Sequence, residues 1–295
     1  MAAANEGSSA TVRGVGVPGG RVVALLSLGL ALPALALGLD ALRHGLGPDP
    51  WAEASRRSGS WALVFLLASL AVTPARQTLR LPTLAPLRRV IGLTAFAYAV
   101  LHLAIHLGSI GGDVRRLLAE MVSQRNLLFG AVAVALLIPL AATSFDHAIR
   151  RLGGLAWRRL HRLVFPAAAL AIVHFAVSWP QKVDVTEPAV AAGLFAWLVG
   201  YRLVAPRGGA PGPAAYAGLA VAAAGVTAAL EFAWFALRTQ VNPWLVLAAN
   251  LDPDLAPRPA AWVLAAGLCA LALRLARRPG RFSPQGSLSR RLPAA

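Results

Sequence analysis

Six histidines stand in this sequence: His44, His102, His106, His147, His161 and His174. His102, His106 and His174 lie inside long apolar runs, and His161 lies at the mouth of one. An ionisable side chain at such depth is costly in lipid and marks function by default. Imidazole narrows the choice, because its neutral form offers a nitrogen lone pair to a metal. Two imidazoles from neighbouring helices at one depth can fill both axial positions of a haem iron. Such an iron has no open site, which suits electron transfer rather than oxygen chemistry. His44 and His147 lie at segment ends and read as exposed interfacial histidines.

Depth along the helices pairs two of them. The segment that starts near Arg88 reaches His102 after about 21 Å at 1.5 Å per residue, and the one that starts near Arg158 reaches His174 after about 24 Å. Both run the same way, so the two histidines share a depth in the outer half of a hydrocarbon core about 30 Å thick. His106 is one turn beyond His102 on the same face. It is an alternate ligand, a hydrogen-bond donor beside the ligand, or an interface histidine. His161 falls about 20 Å short of His174, near the opposite surface and at the depth of a second cofactor. The partner segment offers Arg88, Arg89 and Gly92 there rather than a histidine. On an ideal helix His161 also points about 140° away from His174. Either Pro166 distorts the helix or His161 serves a different site, as a haem ligand or as an anchored interface residue. Arg88, Arg89, Arg150, Arg151, Arg158, Arg159 and Arg162 cluster at this level. Membrane topology accounts for most of them. Their guanidinium groups can also pair with haem propionates or with the phosphate of a bound flavin mononucleotide (FMN).

The elements that carry these residues are membrane helices. Of 295 residues, 57% are hydrophobic and 14% charged, against roughly 25% charged in a typical soluble domain. A soluble fold of this length would need more polar surface than the chain supplies. The fold class is therefore all-α, a polytopic transmembrane bundle. Eight apolar runs cover roughly 22–39, 58–75, 90–110, 126–143, 162–179, 187–204, 214–238 and 259–276, the last being the weakest. Residues 1–20 read as a loose tail, 21–204 as the haem-binding domain, 205–278 as an additional helix pair and 279–295 as a basic tail. With both termini cytoplasmic, the arginine clusters fall inside and only Glu6 and Asp146 among the acids do. This satisfies the positive-inside rule and explains the net charge of +16 without a nucleic-acid partner. Cys269 is the only cysteine, so no intrachain disulfide or cysteine-ligated cluster can form. No G-x-G-x-x-G opens a helix after a strand, and no Walker loop or C-x-x-C occurs. A nicotinamide or flavin reductase domain would have to be another chain.

The stretches RRVIGLTAFAYAVLHLAIH (88–106) and RRLGGLAWRRLHRLVFPAAALAIVH (150–174), with TPAR (73–76), resemble the MsrQ (YedZ) family of haem-binding membrane subunits. These belong to the ferric-reductase-like transmembrane superfamily. The resemblance covers roughly residues 20–204, including a W-x-x-L-H-R-L element with a histidine 13 residues later, and implies that the family's conserved histidines fall on His102, His161 and His174. It implies haem b, bound FMN and a place in the inner membrane. It also implies electron delivery from the quinone pool to a periplasmic molybdopterin subunit, MsrP, which reduces methionine sulfoxide in periplasmic proteins. The chain would then be the electron-transfer subunit rather than the catalytic one. It departs from the family in its additional helix pair and the segment TQVNPWLVLAANLDPDLAPRP (239–259), whose Trp244, Asn250, Asp252 and Asp254 either cap helices or dock a partner. Two other functions share these residues. One is a stand-alone ferric reductase or quinol-linked cytochrome b with another acceptor. The other is a transporter or channel that uses the histidines as a proton relay.

Overall fold

A computed structural model describes residues 20–276 apart from 182, 207, 208 and 253, with side chains from residue 27 onward. All but the last residue of the tail expected over 1–20, and all of that expected over 279–295, lie outside the described residues. The described chain is helical, with no strand. Its helices are α1 (Gly20–Arg43), α2 (Pro50–Leu79), α3 (Leu87–Ser109), α4 (Val114–Ser123), α5 (Arg125–Ala142), α6 (Asp146–Leu152), α7 (Gly154–Leu160), α8 (Val164–Ser178), α9 (Thr186–Val204), α10 (Pro213–Arg238), α11 (Pro243–Ala249) and α12 (Pro259–Ala276). The eight apolar runs correspond to α1, α2, α3, α5, α8, α9, α10 and α12. Six segments are long and apolar enough to cross a membrane, α12 among them. The protein is a multi-pass membrane helical bundle.

Local chemistry sets the helix ends. The Asp49 side chain accepts the Ala52 N–H and Pro50 occupies the first turn of α2, a combination that satisfies an orphan donor and pre-sets φ. Asp113 caps α4 in the same way through the Arg116 N–H. This short helix is amphipathic. Leu117 is buried, while Val114, Leu118 and Val122 are exposed along one stripe.

Two antiparallel hairpins form the heart of the bundle: α2 against α3, and α5 against α8. The second helix of each supplies membrane histidines, His102 and His106 on α3 and His174 on α8. Leu66, Leu70, Ala95, Tyr98, Leu137, Leu140, Ala167 and Ile172 join them in one core. Helix α1 attaches through Tyr98, whose hydroxyl donates to the Leu30 carbonyl at 3.0 Å and accepts the Ala34 N–H at 2.9 Å. Those groups would otherwise bond to each other within α1, so a side chain of α3 is inserted into its ladder beside Pro33. Neighbouring side chains re-satisfy opened backbone of this kind in lipid.

Helices α9, α10 and α12 pack as a third unit against α2. Close approach requires glycine here. A Cβ on Gly193 would meet Thr227 Oγ1 at 2.0 Å, and one on Gly267 would meet the Ala220 Cβ at 2.6 Å. Buried Glu231 of α10 is paired with Arg258 and accepts from Asn250 Nδ2 at 3.1 Å. That network ties the 239–259 segment to the bundle. Asp252 closes a turn through the Asp254 N–H, and exposed Trp244 packs on Phe232. Asn250 and Asp252 thus have structural partners within the chain. Arg202 of α9 donates to the Leu70 and Leu198 carbonyls, each at 2.6 Å, and lies 5.1 Å from the Phe165 ring centre.

Candidate functional site

Two cavities among the described residues lie one toward each end of the bundle. The larger, about 1300 Å³, is lined by residues of α2, α3, α4, α5, α8 and the start of α9, including His102, His106 and His174. The smaller, about 520 Å³, is lined by Arg88, Arg89, Ser144, Asp146, Trp157 and His161 among others. Leu66 and Leu137 line both.

In the larger cavity the His102 and His174 rings face each other. Their centres are 6.0 Å apart and their planes cross at 71°. His102 Nδ1 lies 2.8 Å from the Ser55 carbonyl oxygen and 3.2 Å from Ser55 Oγ. His174 Nδ1 lies 2.7 Å from the Asn126 carbonyl oxygen. A carbonyl can only accept, so each Nδ1 carries the proton and each Nε2 keeps its lone pair. Two metal–imidazole bonds of about 2.0–2.1 Å, with each nitrogen about 1.1 Å from its ring centre, would set the centres about 6.3 Å apart. The observed spacing fits a single metal ion between the rings.

His106 lines the same cavity toward its mouth, its Nε2 3.7 Å from Glu120 Oε2 of α4 and without a hydrogen bond. Arg116 holds Glu120 from the other side at 2.8 Å. Acidic Asp49, Glu53, Asp184 and Glu187 line the cavity, with Arg56 among them. Thr186 hydrogen bonds hold the Asp184 carboxyl below the usual carboxylate range.

His161 occupies the other cavity. Residues His161–Leu163 form a 3₁₀ turn between α7 and α8. Such a turn winds about 120° per residue instead of 100°, so ideal helix geometry does not hold between His161 and His174. The His161 ring stacks on Trp157, centres 4.0 Å apart. Thr143 Oγ1 lies 2.6 Å from the Pro139 carbonyl, to which it donates its one proton, and so accepts from His161 Nε2 at 3.2 Å. His161 therefore keeps Nδ1 as its free nitrogen, the reverse of the other two. Trp157 Nε1 donates to the Thr143 carbonyl at 2.9 Å and fixes the stack.

The arginines divide. Arg88 and Arg89 line this cavity, whereas Arg158 and Arg159 are exposed on α7 and line neither cavity. Arg89 pairs with Asp146 at 2.6 Å and holds that carboxyl below its ordinary range. Among the described residues, no carboxylate pairs with Arg88. His44 and His147 are exposed and also line neither cavity.

The ferric reductase like transmembrane component family matches residues 58–172, from α2 into α8. A protein-methionine-sulfoxide reductase heme-binding subunit, MsrQ, of Rhodospirillum rubrum is 40% identical over 174 residues, covering 59% of this chain and 83% of that protein. The chain belongs to the MsrQ family. MsrQ of Xanthomonas oryzae pv. oryzae is 43% identical over 158 residues, 53% of this chain and 71% of its own length. MsrQ of Xanthomonas euvesicatoria pv. vesicatoria is 43% identical over 159 residues, 54% and 72% respectively. No solved structure matches. The MsrQ relatives match only 53–59% of this chain, and the superfamily match ends before α9.

Sequence reading singled out the MsrQ histidines but not what they rest on. Ser55 and Asn126 each bond an imidazole through a backbone carbonyl, and a Cβ on Gly59 or Gly130 would crowd the same ring. None belongs to a recognisable motif. The one signal was a glycine within an otherwise apolar helix, which usually has a packing reason.

Proposed function

We propose that this protein is a membrane b-type cytochrome that holds haem between His102 and His174. It would pass electrons from the quinone pool to a periplasmic molybdopterin subunit of the MsrP kind, which repairs oxidised methionine in periplasmic proteins. The facing imidazole pair, with both Nδ1–H groups on backbone carbonyls, carries this reading. Haem bound by two such nitrogens supplies one-electron transfer with no open iron site. The chain's part is to orient the imidazoles, fix their tautomer and surround them with apolar helix. The smaller cavity serves the donor side. Arg88, free of a carboxylate partner, and Arg89 suit an anionic group there, either the FMN phosphate or a haem propionate. The acidic mouth of the larger cavity serves the acceptor side.

A reduced-minus-oxidised spectrum of the purified protein, with haem quantified by extraction, tests the central point. The expected result is a low-spin b-type difference spectrum. A protein free of haem when made in haem-replete cells would overturn the reading and leave the proton-relay alternative. Co-expression with a molybdopterin acceptor, followed by reoxidation of the reduced haem, separates the MsrP-linked reading from a stand-alone ferric reductase.

Orientation has its own test. In a Cys269→Ser background, Gly112→Cys in the α3–α4 turn should be labelled by an impermeant thiol reagent from the periplasm. Arg151→Cys at the end of α6 should react only after the membrane is opened. The reverse pattern would invert the electron path.

A further inference from the structure

His102 and His174 are seated by the same device on two different hairpins. In each, the imidazole crosses to the preceding membrane helix and reaches a carbonyl there, Ser55 on α2 or Asn126 on α5. The histidine follows that carbonyl by 47 residues in one hairpin and 48 in the other. In each, the residue four positions after the carbonyl is a glycine, Gly59 or Gly130. A helical carbonyl already accepts the N–H four residues on, so the imidazole N–H uses its second lone pair. To do so the ring must lie flat against the backbone at the glycine. A Cβ on Gly59 would stand 2.9 Å from His102 Nδ1 and 3.1 Å from Cε1. A Cβ on Gly130 would stand 3.0, 3.1 and 3.2 Å from His174 Nδ1, Cε1 and Cγ. Comfortable carbon contacts are about 3.5–4.0 Å. Any side chain at either position would displace the ring by several tenths of an ångström and disturb hydrogen bonds now 2.8 and 2.7 Å long.

We propose that Gly59 and Gly130 are positioning residues for the two imidazoles, setting their 71° crossing angle and keeping each Nδ1–H on a helix carbonyl. This rests on the haem reading above and adds two electronic consequences. Imidazole planes close to perpendicular leave the two iron dπ orbitals nearly equal in energy. The ferric form then has a strongly anisotropic low-spin resonance rather than the rhombic one of parallel rings. The carbonyl hydrogen bonds make each Nε2 more basic. Basic ligands favour ferric iron and hold the reduction potential down.

The test compares Gly59→Ala and Gly130→Ala with wild type and with Gly225→Ala, whose added Cβ meets nothing within 4 Å. Each purified holoprotein is measured for haem content, low-temperature electron paramagnetic resonance and midpoint potential. Gly225→Ala should match wild type throughout. Both other variants should show a displaced low-field resonance and a raised midpoint potential. Loss of haem with an unchanged apoprotein melting temperature also supports the proposal. Wild-type resonance and potential in both variants would overturn it. Should the alanine variants not accumulate, the wild-type signal decides, since a rhombic spectrum contradicts the perpendicular seating. A wild-type protein without haem would instead overturn the underlying reading. Haem lost in His102→Ala but unaffected in both glycine variants would overturn this inference alone.

Discussion

Alanine at His102 or at His174 should remove most of the haem from the purified protein while leaving its amount in the membrane unchanged. In the proposed role each histidine would supply one of two axial nitrogens, and the facing ring could not fill both positions. Loss of an outer hydrogen-bond partner of a ligand already lowers metal affinity about 10–100-fold, so loss of the ligand itself should lower haem content by at least roughly tenfold. His44→Ala should keep full haem, since His44 is exposed and lines neither cavity. His106→Ala separates two roles for a residue that shares the cavity. Retained haem makes it a neighbour near Glu120, whereas loss equal to that in His102→Ala makes it a ligand. The readout is the alkaline pyridine spectrum per mole of protein. Full haem in both His102→Ala and His174→Ala would place the group elsewhere in the chain.

The second large effect is expected at the other cavity. His161→Ala should slow reduction of the haem by quinol while leaving reduction by dithionite unchanged. His161 stacks on Trp157 and is held by Thr143, so it belongs to a local network separate from the His102–His174 pair. In the proposed role, removing it would change the donor side alone. Stopped-flow absorbance with each reductant gives the two rates. Equal slowing with both reductants would mean that the haem site itself is disturbed. Wild-type rates with both would leave His161 as an interface residue. A companion Thr143→Val variant, which removes the hydroxyl but keeps the volume, should shift the quinol rate in the same direction by less.

How much of this was legible in the sequence depends on range. The helices were legible because lipid imposes one long apolar run per helix: each of the eight runs became a helix, and six segments are long and apolar enough to cross a membrane. The pairing of His102 with His174 was legible because axial rise is a constant 1.5 Å per residue, so sequence distance from the arginine-rich ends becomes depth. Azimuth was less legible. The 140° offset expected for His161 assumed an ideal helix, and the 3₁₀ turn at His161–Leu163 replaces it. Short helices such as α4 and α11 were hidden because they lie at the bundle ends, where no spanning run marks them. The partners of the imidazoles were illegible for a physical reason. They are backbone carbonyls, which every residue carries, and only the nearby glycine distinguishes Ser55 and Asn126 from other positions. Arg158 and Arg159 stand in the most recognisable motif of the chain, yet they face outward, because a basic residue at a helix end answers to topology as readily as to a ligand.

The glycine-seated contact of α9 with α10 and α12 has a consequence for traffic within the bilayer plane. Those helices cover one flank of the protein permanently, being joined to it by the chain itself, so dilution in lipid cannot remove them. The smaller cavity takes its walls from α2, α3, α5, α6, α7, α8 and the turn before α8, and none from α9, α10 or α12. In the proposed role, a lipid-dissolved reductant diffusing sideways would meet one side covered by these helices and another without them. In that role the added helices would narrow the directions of lateral approach, giving the molecule a front and a back in the membrane.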